Sequence, residues 1–178
     1  SLYRKVNSEY NRLAPLANIG TVYTAQGDYQ KGLEYYQKSY EIMKRAGDYN
    51  ENFGIVHSLI GESYFYLNDY VQADTWLRQA LIVFDKVGAP RPKTEALSMI
   101  GRLKIEEKKY DEAGRFLNEG VKAAKEKSLR VDYIANLSLL GQLEVLQKNY
   151  TKAKPILEES IKASREMNKY NTLWESLY

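Results

Sequence analysis

The chain has 178 residues, 44% hydrophobic and 28% charged, which is enough to bury a sizeable core and ordinary for a folded protein. Its 26 basic and 23 acidic residues leave a net charge of +3, with the signs interleaved as in Glu106-Glu107-Lys108-Lys109, a pattern of solvated helix faces rather than of a nucleic-acid or membrane surface. There is no cysteine, which removes disulfides, thiolate catalysis and zinc–thiolate sites. No apolar run approaches the length of a membrane span, and the first residues carry no signal-peptide pattern.

Apolar residues at helical spacing predict helices, in chain order, near 12–26, 29–46, 53–67, 70–87, 93–107, 110–127, 131–147, 150–167 and 170–178. Breaks between them are marked by Gly27-Asp28, Gly47-Asp48, Asn68-Asp69, Gly88-Ala89-Pro90, Lys108-Lys109 and Lys148-Asn149. Gly and Asn suit a left-handed helix C-terminus, and Asp suits the N-cap of the helix that follows. The fold class expected is all-α.

The helices repeat. Gly20, Gly61, Gly101 and Gly141 sit inside apolar helical patterns at intervals of 41, 40 and 40 residues, and nine residues after each stands Tyr29, Tyr70, Tyr110 or Tyr150. Twelve residues after each glycine the side chain is small (Gly32, Ala73, Ala113, Ala153). Four further on it is large (Tyr36, Leu77, Leu117, Leu157), and three beyond that small again (Ser39, Ala80, Gly120, Ser160). Residues three and four apart share a helix face, so the small positions form a stripe where two helices approach closely.

A glycine followed three residues later by tyrosine, then a second helix with this small-large-small pattern, resembles the tetratricopeptide (TPR) repeat. Leu16, Gly20, Tyr23, Gly32, Tyr36 and Ser39 carry the resemblance in the first copy, and His57, Gly61, Tyr64, Ala73, Leu77 and Ala80 in the second. The third and fourth copies depart at the tyrosine, with Lys104 and Glu144. The usual unit is about 34 residues; the longer unit here is similar to those of kinesin light chains and of bacterial peptide-responsive regulators and sensors. The resemblance implies a right-handed superhelix of antiparallel helix pairs. Its repeats would span 11–50, 51–91, 92–130 and 131–169, with the end of a preceding repeat at 1–10 and the start of a fifth at 170–178. Leu2 to Lys5 align with Ala123 to Glu126, and Leu177 with Leu137, so both ends are expected to cut a repeat of a larger protein.

In this family one face of the first helices lines a concave groove, and on a helical wheel it falls three residues before, one after and five after each glycine. Those positions place Thr21, Ser58, Glu62, Tyr66, Ser98, Arg102, Glu106, Ser138 and Gln142 on the candidate partner-binding surface, with Ala17, Ala25 and Leu146 completing the ladders. Small and polar side chains there leave room for a peptide backbone, Tyr66 adds a flat apolar surface, and Glu62 and Arg102 read charge. The competing reading is a set of solvated or mutually paired charges. Relatives that grip a C-terminal carboxylate use a lysine where this chain has Ala17, Ser58, Ser98 and Ser138, which argues against that mode.

Catalytic chemistry is missing. His57, the single histidine, occupies the packing position held elsewhere by Leu16, Leu97 and Leu137. No nucleophile–base pair, phosphate loop or metal-ligand spacing is visible, so neither enzyme activity nor a cofactor is expected. The expected function is protein or peptide binding, as a sensory, regulatory or scaffolding part of a larger bacterial signalling protein, without direct nucleic-acid binding. The alternatives are a structural spacer or self-association module, and the non-catalytic region of an enzyme.

Overall fold

The computed structural model describes residues 13–175, with side chains described for residues 15–168. Eight helices follow one another: α1 (Leu13–Ala25), α2 (Tyr29–Ala46), α3 (Glu51–Tyr66), α4 (Tyr70–Val87), α5 (Pro90–Glu106), α6 (Tyr110–Glu126), α7 (Arg130–Leu146) and α8 (Tyr150–Glu175). No strand occurs among the described residues. The chain divides into two compact units, Ser1–Ala89 with α1 to α4 and Pro90–Tyr178 with α5 to α8.

Each helix pair is joined by the same three-residue turn. Gly27, Asn68, Lys108 and Lys148 all have positive φ, between 60° and 82°. The next amide bonds back across the turn: Asp28 to the Tyr23 carbonyl, Asp69 to Tyr64, Lys109 to Lys104 and Asn149 to Glu144, at 2.8–2.9 Å. This wraps the last carbonyls of one helix and aims the chain into the next. Asp28 and Asp69 then cap the second helices through the amides of Lys31 and Gln72, both at 3.1 Å. The chain thus reuses one turn geometry even where lysine, which disfavours that backbone, must adopt it.

The repeated glycines lie where helices meet. A Cβ on Gly61 would fall 2.8 Å from Leu77 Cγ and 3.1 Å from its amide nitrogen, and one on Gly101 would fall 2.5 Å from Leu117 Cδ2. Gly20 meets the Tyr36 ring and Gly141 meets Leu157 in the same register. The small-large-small positions of the second helices are buried throughout, apart from a half-buried Leu157. In the first unit this builds a core of Leu33, Tyr36, Met43, Phe53, Val56 and Ile60. In the second, Ala113, Leu117, Leu140 and Leu143 take that part, with Ile156 packed against them.

Three helix ends differ from expectation. Helix α3 begins at Glu51 rather than 53, because the Asn50 side chain caps the Phe53 amide at 3.3 Å. Helix α5 begins at Pro90 rather than 93. Pro90 and Pro92 fall in the first turn, where their missing N–H groups have no intrahelical partner to lose. The break expected between 167 and 170 does not occur, and α8 runs on to Glu175. The other breaks between pairs have a positive-φ residue, Gly47, Gly88 or Ser128, whereas Asn168 stays within the helix. The expected repeat end at 1–10, and Leu177 with the end of the expected fifth repeat, lie outside the described residues.

Candidate functional site

Helix α1 turns its Thr21 and Thr24 toward the second helix of its own pair. Tyr36, only 1% exposed, rises from α2 and places its hydroxyl 3.2 Å from both Thr21 Oγ1 and Thr24 Oγ1. Hydrogen bonds tie these groups to one another and to the backbone. Thr21 donates to the Ala17 carbonyl at 3.1 Å, Thr24 to the Thr21 carbonyl at 3.0 Å, and Tyr36 to Thr21 Oγ1. Helical threonine and serine commonly bond back one turn in this way. Ser63 on α3 does the same, donating to the Leu59 carbonyl at 2.8 Å.

The other wall is aromatic. Tyr66, at the end of α3, is 38% exposed and stacks on Tyr29, the first residue of α2, with ring centroids 4.4 Å apart and planes 12° from parallel. Phe65 packs edge-on against Tyr66 at 5.3 Å and so supports the stack from within the same helix. Such ring pairs add about 0.5–1.5 kcal/mol beyond the area they bury.

These walls enclose a pocket of about 250 Å³. Thr21, Thr24 and Ala25 line it from α1, Tyr29 and Tyr36 from α2, and Leu59, Glu62, Ser63 and Tyr66 from α3. Glu62 is the only charged side chain among them. The wheel positions therefore bring Thr21, Glu62 and Tyr66 to one place, with Ala25 beside them.

Ser58 is not part of that pocket. Its hydroxyl oxygen is enclosed and has no hydrogen-bond partner in the fold. In the second unit, Ser138 spends its hydroxyl on Ser160 Oγ, 2.8 Å away on α8. Ser98 and Arg102 are half-buried on α5, and Arg102 places Nη1 4.0 Å from the Met99 sulfur. Glu106 and Gln142 are exposed on α5 and α7.

The residues that the wheel missed are Thr24, Tyr29, Tyr36, Leu59 and Ser63. Tyr29 and Tyr36 recur in register as packing positions, which concealed their part in the pocket. The visible signal was that Tyr36 stands where the other three copies have leucine.

Two departures of the repeat pattern also find their place. Lys104, 3% exposed, meets Glu107 at 2.7 Å, and Glu107 meets Lys109 at 2.7 Å. The two ammonium groups hold the Glu107 carboxyl below its ordinary range against the opposing effect of burial. Glu144 accepts a hydrogen bond from Asn149 Nδ2 at 2.9 Å. Both side chains bind the turn that follows them. His57 is 5% exposed, with Nδ1 donating to the Phe53 carbonyl at 2.7 Å and the rings of Tyr40, Phe53 and Trp76 around it. Burial pushes its pKa down, with the Phe53 bond acting the other way. Among the described residues no acidic or histidine cluster has the makings of a metal site, and no helix is long and apolar enough to cross a membrane.

Comparison with known proteins follows the same lines. The tetratricopeptide-repeat family model matches residues 12–86. No curated protein matches the chain. Among solved structures, aspartyl phosphate phosphatase F from Bacillus subtilis is 18% identical, with a TM-score of 0.85 over 90% of this chain and 42% of that one. The Rap conjugation gene regulator of plasmid pLS20, in complex with the Phr* peptide, is 13% identical, with a TM-score of 0.73 over 83% of this chain and 41% of that one. A putative kinesin light chain of Podosopora anserina with nearly identical TPR-like repeats is 16% identical, with a TM-score of 0.72 over 89% of this chain and 77% of that one. These likenesses establish the fold, a TPR-like helical repeat, across most of the chain. The chain spans less than half the length of the first two proteins.

Proposed function

We infer that this chain, tetratricopeptide repeat over residues 12–86, is a non-catalytic module that binds a peptide or an extended segment of a partner protein. The observation that carries the reading is the pocket itself. It joins an accessible aromatic stack, Tyr29 with Tyr66, to a polar wall, and Thr21, Ala25, Glu62 and Tyr66, expected as groove positions, are among its lining residues. Concave sites that mix apolar rings with a few placed polar groups are the usual form of a ligand site. The pocket's volume of about 250 Å³ lies below the roughly 300–1,000 Å³ of sites that enclose a whole small ligand. It suits one side chain of a longer ligand.

One fact supports a regulatory setting: a solved structure of the same fold is a conjugation gene regulator in complex with a peptide. The test is selection of a displayed random-peptide library on the intact chain, repeated with Tyr66→Ala. Peptides retained by the parent and lost by the folded variant are the expected result. A library that yields no binder, or binders indifferent to Tyr66→Ala, overturns the reading.

A further inference from the structure

We propose that copies of this chain stack head to tail, with helix α8 of one copy lying on helix α1 of the next in the same joint that links consecutive helix pairs within the chain. The inference is independent of the peptide-binding reading. It begins with the positions one residue before and two after each repeated glycine. On α3, α5 and α7 these hold Ile60 and Ser63, Ile100 and Leu103, and Leu140 and Leu143, all at most 7% exposed. On α1 the same positions hold Ile19 and Val22, which are 39% and 56% exposed. Within each unit the cover comes from the second helix of the preceding pair. Ile60 shares a core with Leu33, Tyr36 and Met43 of α2, and Leu140 and Leu143 share one with Ala113 and Leu117 of α6. Helix α1 therefore shows one face of that joint to solvent.

The other face of the joint stands exposed on α8. Ile161 occupies the register of Tyr40 and Val121, which pack against those two cores, yet it is 52% exposed. Leu157, in the register of the buried Tyr36 and Leu117, is only half-buried. Lys154 and Glu158 lie on the same stripe, 3.9 Å apart and largely exposed. Helix α1 carries no charged side chain from Leu13 to Ala25, so nothing on it opposes that pair. A lysine stem also covers apolar surface while its ammonium stays in water. The two faces left open are the two halves of one contact that the chain already makes twice, and this match favours a second copy over an unrelated partner. A contact between two different faces leaves one of each free in every new complex, so it propagates instead of closing as a two-fold dimer does. Val22 and Ile161 are not among the pocket's lining residues, so stacking does not draw on the peptide site.

The test is the mass of the intact chain in solution, read by light scattering across the micromolar range. With rising concentration the average mass should climb past that of a dimer, as an open head-to-tail contact requires. Val22→Glu and Ile161→Glu, both at exposed positions, should each hold the chain monomeric with its helicity by circular dichroism unchanged. An equimolar mixture of the two variants should form a dimer and nothing larger, because each retains one intact face. A parent chain that stays monomeric throughout overturns the proposal. A parent mass that stops at the dimer overturns it too, as does self-association of folded Val22→Glu or Ile161→Glu alone. The parent series decides the question even if a variant fails to fold.

Discussion

The two units share one backbone plan and fill it with different chemistry. In the first, the large residue under the repeated glycine of α1 is Tyr36, and rings run on through Tyr40, Phe53, His57 and Trp76. In the second, the corresponding residues are Leu117 and Leu157, and the charged side chains of Lys104 and Asp132 are buried along with Thr94 and Asn136. Turns differ likewise. The first unit makes its left-handed turns with Gly27 and Asn68, and the second makes the same turns with Lys108 and Lys148. The difference teaches that steric demands of close helix contact hold the repeat together, while side chains free of those demands are available for function. In the first unit such side chains line a pocket beside the Tyr36 ring that packs against Gly20.

The largest effect expected tests the steric half of that statement. Leu117→Ala should destabilise the second unit by about 2–5 kcal/mol, the usual range for emptying a fully buried leucine site, as read by denaturant melts. A loss below about 1 kcal/mol would mean that the contact with Gly101 does not hold the pair.

Next in size is the turn. Lys108→Gly relieves a left-handed backbone that costs a side-chain-bearing residue about 1–2 kcal/mol, and its φ of 60° is retained. The variant should melt higher, whereas Gly27→Ala in the first unit should melt lower. Opposite signs at equivalent positions would confirm that the geometry, and not the residue, is what repeats.

Tyr36→Leu exchanges the floor of the pocket for the leucine found in the other three copies. The loss of hydroxyl bonding to Thr21 and Thr24 should cost about 0.5–1.5 kcal/mol of stability. Peptide binding should weaken more than stability does, because the pocket loses the Tyr36 ring and hydroxyl that line it. Unchanged binding by the folded variant would exclude Tyr36 from the site.

The smallest effect is a pH dependence at His57. Its pKa in the folded protein lies below the ordinary 6.5, because burial disfavours the charged ring. Above pH 6.5 the ring is neutral in both folded and unfolded chains. As pH falls from 6.5 toward the depressed folded value, the unfolded chain takes up the proton first and stability declines. His57→Leu, which restores the residue of the other copies, should flatten that part of the stability–pH curve, as followed by melts between pH 4 and 8.

Much of the fold was legible because hard contacts leave a plain record. Gly61 against Leu77, and Gly101 against Leu117, admit no larger residue without a shift, so the register survives in the sequence. Helix ends were less legible where the marker was ambiguous. Pro90 reads as a break and is the first residue of α5, and the break expected between 167 and 170 falls inside α8.

The pocket was legible to the extent that helical periodicity decides it. The wheel collected Thr21, Glu62 and Tyr66 without knowledge of their neighbours. It placed Ser58 and Ser138 on the same face, but whether a hydroxyl turns outward or inward depends on distances between helices, which periodicity does not contain. The Tyr29–Tyr66 stack joins the start of α2 to the end of α3, away from the turn that connects them, and was hidden for the same reason.

Hydrogen exchange of the intact chain, with and without a peptide selected from the displayed library, tests the central claim most directly. The account predicts new protection at the ends of α1 and α3 and at the start of α2, around Thr21, Glu62, Tyr66 and Tyr29, that Tyr66→Ala abolishes. Protection confined to other segments, or unaltered by Tyr66→Ala in a folded chain, would contradict it.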